Sequence, residues 1–218
     1  MDHTVELLHT GFVTHDVKRF VVSRPDGLEW EPGQGVELAL DRDGWREEGR
    51  PFTPTSRPRD RVLEFTIKAY PEHDGVTTRL HDLVAGDRLL MSDAFGTITW
   101  QGPGTFLAGG AGVTPFLAIL RDAGADDLAR SSLHFTNKTP ADVICEKELR
   151  HLLGDRCHLT CTEESAPGYD DRRMDRAYLE SEITDLDDPV YVCGPPDFVD
   201  ELGEALDDLG APTLVVEE

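Results

Sequence analysis

The stretch Phe106-Leu107-Ala108-Gly109-Gly110-Ala111-Gly112-Val113-Thr114-Pro115-Phe116 decides the fold. An apolar run stops at glycines, and a proline follows just before the next apolar residue. That order reads as strand, tight turn and helix start. Glycine lets the backbone approach a ligand without a Cβ in the way. Pro115 suits the first helical position, where its missing N–H costs nothing. A helix start offers unpaired N–H groups and partial positive charge to a pyrophosphate. Proline stands where G-x-G-x-x-G has its third glycine, so this is not that fingerprint. A plain tight βα turn would satisfy the same string.

Downstream, strands and helices alternate. Strands are expected at Thr105 to Ala108, Leu133 to Asn137, Cys157 to Cys161, Val190 to Cys193 and Thr213 to Val216. Helices are expected at Pro115 to Asp122, Cys145 to Leu152, Arg176 to Ile183 and Pro196 to Leu209. This rhythm indicates a parallel sheet covered by helices, which binds ligands at the carboxyl ends of its strands. Tyr191-Val192-Cys193-Gly194-Pro195-Pro196-Asp197-Phe198 also closes a strand and opens a helix. It therefore falls at the same rim. Its other reading is a rigid βα turn with a buried cysteine.

Upstream, the pattern changes. Val17 to Ser23, Val36 to Leu40, Leu63 to Ala69, Arg88 to Ser92 and Gly96 to Trp100 read as strands. Leu63, Phe65 and Ile67 alternate on one face. Asp43-Gly44 reads as a tight hairpin leading into a strand from Trp45 to Arg50. One short helix, Thr78 to Leu83, is closed by Ala85-Gly86. Short strands with Gly and Pro turns suggest a small antiparallel β-barrel. Gln101-Gly102-Pro103-Gly104 is the natural boundary, so the domains are expected at 1–102 and 103–218. The fold class is β plus α/β: an N-terminal antiparallel barrel with one helix, then a parallel-sheet α/β domain.

The 218 residues suffice for two domains of about 100 residues each. No apolar run reaches the roughly 20 residues of a membrane span. The opening Met-Asp-His-Thr lacks the basic and apolar regions of a secretory signal, so the cytoplasm is expected. The net charge is -22, which opposes nucleic acid and anionic membranes. Only Lys18, Lys68, Lys138 and Lys147 are lysines. Abundant acids with few lysines fit a high-salt cytoplasm, where 1 M salt screens repulsion within about 3 Å; an ordinary acidic soluble protein fits as well.

The cysteines are Cys145, Cys157, Cys161 and Cys193. Their spacing gives neither C-x-x-C nor C-x4-C-x2-C, so no iron–sulfur cluster is expected in this chain. Cys157 and Cys161 share a strand face and read as buried thiols rather than as a metal site with His158; no metal is expected.

The glycine turn and the Cys-Gly-Pro-Pro segment, in this order, resemble the nucleotide domain of the ferredoxin–NADP reductase family, which includes relatives of cytochrome b5 reductases and flavodoxin reductases. The first half resembles it too. Pro32-Gly33-Gln34 is similar to the family's P-G-Q, and Arg50-Pro51-Phe52-Thr53 to its R-x-Y-[ST] flavin signature. Gly75-Val76-Thr77-Thr78 is similar to its G-x-x-[ST] segment. The resemblance covers essentially the whole chain. It implies one FAD and a nicotinamide dinucleotide. Arg50, a permanent cation, would hold a diphosphate, or else make an exposed salt bridge. Pro51 and Phe52 would line the flavin, with Phe52 against the ring or in the barrel core. Thr53 would bond the N5 region. Ile67 and Lys68 would follow along the ring, although a lone lysine is ordinarily solvated. Gly75, Val76, Thr77 and Thr78 would give donors to the FAD pyrophosphate, or simply cap a helix. Gly110, Gly112, Val113, Thr114 and Pro115 would cradle the nicotinamide dinucleotide. Cys193, Gly194, Pro195 and Pro196 would border it, with Thr53 and Cys193 nearest the hydride. Two departures stand out. Phe52 replaces the usual tyrosine, and the chain ends Val215-Val216-Glu217-Glu218 where many relatives have an aromatic residue.

The implied reaction is hydride transfer from nicotinamide to flavin N5, then electrons to a separate carrier: a ferredoxin, flavodoxin, oxygenase component or cytochrome. Nucleotide choice falls to His134-Phe135-Thr136-Asn137-Lys138-Thr139, where Asn137 and Lys138 are the candidate contacts. NADPH needs cations for its 2′-phosphate, and NADH often meets a carboxylate. With Lys138 as the single cation there, NADH is favoured. Other readings are a free-flavin reductase, a non-catalytic flavin-binding subunit and a flavin-free dehydrogenase.

Overall fold

A computed structural model describes residues 1–70, 72, 75–96, 98–183, 186–211 and 214–217. They form two compact units: Met1–Thr99 with Leu117–Asp122, and Trp100–Phe116 with Ala123–Glu218.

The first unit holds strands β1 (His3–Phe12), β2 (Val17–Ser23), β3 (Val36–Leu40), β4 (Arg50–Phe52), β5 (Val62–Lys68) and β6 (Arg88–Met91). All neighbours are antiparallel, in the order β4-β3-β6-β1-β2-β5. The sheet would leave β4 and β5 as edges. Instead Pro54 bridges Phe65, and the Thr55 N–H donates to the Glu64 carbonyl at 2.6 Å. These contacts nearly close the barrel and remove most of the exposed edge. Alternation fills it as expected: Leu63, Phe65 and Ile67 are all buried, with Phe20, Val22, Leu38 and Met91. Helix α1 (Val76–His81) adds Val76 and Leu80 to this core.

Three expectations change here. Strand β1 carries no clear signal, because only Val5 and Leu7 of its ten residues are buried. A register shift between Leu7 and His9 interrupts its alternation. The hairpin at Asp43-Gly44 and the strand from Trp45 to Arg50 do not form. Arg46 bonds Asp41 at 2.9 Å and Asp43 at 2.7 Å, winding this acidic segment into successive turns. Strand β4 begins only at Arg50. In the expected strand from Gly96 to Trp100, Thr97 lies outside the described residues, and no strand runs through the others. Phe95 pairs with Gly35 instead, and Gly96 then turns away at φ +131°.

The second unit holds β7 (Thr105–Gly109), β8 (Ser132–Asn137), β9 (Cys157–Cys161), β10 (Val190–Cys193) and β11 (Leu214–Glu217). They pair in parallel, in the order β11-β10-β7-β8-β9. Thr213, the expected start of the last strand, lies outside the described residues, as does Glu218. The helices after β7 are α2 (Thr114–Asp122), whose residues from Leu117 on belong to the first unit, α3 (Ala125–Ala129), α4 (Glu146–Leu153), α5 (Arg176–Glu182) and α6 (Pro196–Leu209). The five-residue α3 is an addition to the expected set. The chain starts at central β7, moves outward to β9, and returns to the other side of β7 as β10. This reversal makes a topological switch point between β7 and β10, where open parallel sheets bind ligands. Phe106, Trp100 and Tyr191 stack beside it, and the Tyr191 hydroxyl donates to the Gly102 carbonyl at 2.8 Å.

Candidate functional site

Both Gly/Pro turns sit at the switch point. Gly110–Val113 forms a 3-10 turn after β7, and Thr114 begins α2. The turn at Cys193-Gly194 ends β10, and Pro196 begins α6. The two turns touch through backbone. A Cβ on Gly112 would lie 2.2 Å from the Cys193 carbonyl oxygen and 2.6 Å from the Gly194 nitrogen. A Cβ on Gly194 would lie 2.6 Å from the Phe198 ring. Gly112 and Gly194 are therefore needed for packing within the rim. Gly110 differs: its φ is +53° and a Cβ there would meet nothing within 4 Å. Its open side is where a ligand can approach the backbone.

The helix start is less generous than the sequence implies. Thr114 donates its N–H to the Ala111 carbonyl, and its hydroxyl reaches the same oxygen at 3.0 Å. Pro115 stands one place inside the helix and has no N–H. Val113 is fully buried and anchors the glycine turn. Cys193 is buried beside it, and none of the four cysteines is in a disulfide. Burial pushes the Cys157 and Cys161 thiols up to about 11, so both are thiols at neutral pH.

At the end of β8, Asn137 is 7% exposed and its Nδ2 has no hydrogen-bond partner. An unmet buried amide donor costs about 1–3 kcal/mol, and a ligand that accepts from it recovers this. Lys138 is exposed and pairs with Glu163 at 3.3 Å. Thr139 gives both its N–H and its hydroxyl to Asp142, which occupies that carboxylate. Glu163 escapes sequence reading because it comes from the end of β9. Its only signal there is that β9 is the neighbour of β8.

Behind this rim, His134 and His158 stack at 4.5 Å, and the His134 Nδ1 meets the Tyr178 hydroxyl at 2.9 Å. Burial, with the neighbouring His158, pushes His134 down to about 4. The ring is thus a neutral part of the core.

In the first unit, Arg50 is half-exposed, with its Nη1 on the Gly49 carbonyl and Glu48 at 3.7 Å. Pro51 is exposed, Phe52 is half-buried against the barrel core, and Thr53 is 7% exposed. Ile67 is buried. Lys68 is half-buried and pairs with Asp16 at 3.0 Å. Burial pushes Asp16 up, but its bonds to Lys68 and Thr14 outweigh this and hold it below the usual range. Gly75 caps α1 with extended backbone and open space at its Cβ position. Val76 is buried and Thr77 half-buried, while the Thr78 hydroxyl donates to the Tyr70 carbonyl at 3.0 Å. That hydroxyl is less available to a ligand than the sequence implies.

Known proteins share the fold of this chain. Residues 106–203 match the oxidoreductase NAD-binding domain. The propane 2-monooxygenase reductase component of Mycolicibacterium smegmatis is 29% identical over 196 residues, 81% of this chain and 54% of the relative. The chain thus spans about half the length of that reductase. NADH-cytochrome b5 reductase 1 of Ajellomyces capsulatus is 28% identical over 231 residues, 94% of this chain and 73% of the relative. The structure of a ferredoxin NADP+ reductase from Neisseria gonorrhoeae, with bound FAD and NADP, superposes with a TM-score of 0.86 at 20% identity. It covers 99% of this chain and 97% of its own.

Proposed function

Because residues 106–203 match the oxidoreductase NAD-binding domain and the chain has the ferredoxin–NADP reductase fold, we propose that it is a flavin-dependent NAD(P)H oxidoreductase. It takes hydride from a reduced nicotinamide and passes electrons to a separate carrier. The observation that carries this reading is the switch point, where the Gly110 and Cys193 turns meet near a buried, unpartnered Asn137 donor.

Residues 1–102 serve as the FAD domain and 103–218 as the nicotinamide domain. FAD, when bound, accepts a hydride and releases its electrons singly. Around it, Arg50 supplies a cation to the diphosphate, and the Val76 and Thr77 N–H groups supply donors. Phe52 and Pro51 offer apolar contact, and Ile67 shapes the wall. Thr53 holds a hydroxyl at the hydride-accepting edge. Lys68, fixed by Asp16, keeps a positive charge nearby. For the dinucleotide, the Gly110–Gly112 turn binds the pyrophosphate. Val113, Thr114 and Pro115 hold that turn in shape. Asn137 and Lys138 meet the adenosine half. Gly194, Pro195 and Pro196 set the opposite wall, with Cys193 beside the nicotinamide.

NADH is the proposed donor, as the similarity to NADH-cytochrome b5 reductases suggests. The carrier is proposed to be an oxygenase component or a haem protein, following the reductases it resembles. No helix among the described residues is long and apolar enough to cross a membrane; the cytoplasm is the proposed location, and cell fractionation checks it. The charge of -22 suits a high-salt interior. The FAD-loaded chain should reduce a one-electron dye with NADH; bound flavin without turnover would make it a non-catalytic subunit.

A further inference from the structure

We propose that Glu163 sets the nucleotide preference: held beside Lys138 at the carboxyl ends of β8 and β9, its carboxylate rejects a 2′-phosphate and reserves the site for NADH. This rests on reading the second unit as a dinucleotide site. In sheets of this order the adenosine ribose lies at the end of the second strand, here β8.

The geometry fixes Glu163 there. Backbone pairing continues past both strands: the Thr162 N–H donates to the Asn137 carbonyl at 3.0 Å, and the Glu163 N–H to the Lys138 carbonyl at 2.8 Å. The Thr162 hydroxyl adds a bond to the Asn137 carbonyl at 3.4 Å. The side chains of Lys138 and Glu163 are 72% and 59% exposed and 3.3 Å apart, so both are within reach of a ligand. The buried Asn137 amide, unpartnered at the same strand end, marks this place as a ligand contact independently of the charges.

The electrostatics then follow. A 2′-phosphate carries close to two negative charges and calls for a forked arginine or several cations. Lys138 is the single cation in this stretch, and Glu163 already offsets it. Glu164 follows directly, and Thr139 holds the Asp142 carboxylate close by. An unphosphorylated ribose meets no such repulsion, and its hydroxyls can accept from Asn137 and donate to a carboxylate.

Calorimetric titration of the full chain with ADP-ribose and with its 2′-phosphate tests this without turnover or flavin. The wild-type chain should bind ADP-ribose the more tightly. Glu163→Gln should strengthen binding of the 2′-phosphate about fivefold relative to ADP-ribose. Adding Lys138→Ala to Glu163→Gln should abolish that gain. A purely structural Glu163 would not produce this coupling. Normal ADP-ribose binding with a ratio unmoved by Glu163→Gln, or a wild-type preference for the 2′-phosphate, would overturn the role of Glu163 alone. No binding of either ligand would overturn the dinucleotide reading and the proposal with it.

Discussion

Gly110 and Gly112 lie two residues apart in one turn, yet alanine at each should fail differently. At Gly112 the added methyl would sit 2.2 Å from the Cys193 oxygen and 2.4 Å from its carbonyl carbon, where carbon contacts ordinarily begin near about 3.5 Å. Both obstacles are backbone, so the β7 and β10 turns must separate. Overpacking of this kind costs about 1–3 kcal/mol and occasionally more. At this chain length, about 3 kcal/mol lowers Tm by roughly 6–12 °C. At Gly110 the methyl meets nothing, and the cost is the left-handed φ of +53°, about 1 kcal/mol. That methyl, however, enters the space open to the ligand. Thermal melts and ADP-ribose titrations of the two variants should therefore cross. Gly112→Ala should lose more stability, and Gly110→Ala should lose more than tenfold in binding, about 1.4 kcal/mol, while staying folded. Equal melting temperatures, or undiminished binding by Gly110→Ala, would refute the division of labour within the turn.

Other predictions test separate parts of the structure. Arg50→Ala should weaken FAD retention while leaving ADP-ribose affinity unchanged, measured by flavin release on gel filtration and by titration. His134 is neutral in the fold to about pH 4 but charges near 6.5 when unfolded. The unfolded chain therefore binds more protons between these values, and stability falls as pH drops through that window. The loss should reach about 1.4 kcal/mol per pH unit at its steepest; chemical denaturation of His134→Asn should show that slope reduced. Helix α6 carries Asp197, Asp200, Glu201, Glu204, Asp207 and Asp208 without a base. Its last-turn acids oppose the helix dipole, so adding molar KCl should raise Tm, as differential scanning fluorimetry can check.

The sequence made the second unit legible because its strands are apolar runs bounded by turn residues; β9 and β10 keep the expected limits. Where local pattern and tertiary contact diverge, it was less informative. Strand β1 hides because a bulge moves its polar and apolar positions out of phase. The segment before β4 looks like a hairpin, but its ion pairs around Arg46 favour turns. For the site, the motifs locate the rim, yet the reason for each glycine lies elsewhere. Gly112 answers to Cys193, some eighty residues away in sequence, a contact no local spacing reveals. Glu163 shows the same limit, since its partner Lys138 belongs to the neighbouring strand end. A lone lysine such as Lys68 reads as solvated, but Asp16, from the loop before β2, pairs with it.

The proposed activity is hydride transfer from a nicotinamide onto a flavin bound by this chain. Anaerobic titration of the FAD-loaded protein with NADH, followed in the visible spectrum, tests it most directly. The protein should be yellow, with flavin absorbance that bleaches with about one equivalent of NADH and more slowly with NADPH. A chain that retains no FAD, or whose bound flavin neither nucleotide reduces, would contradict it.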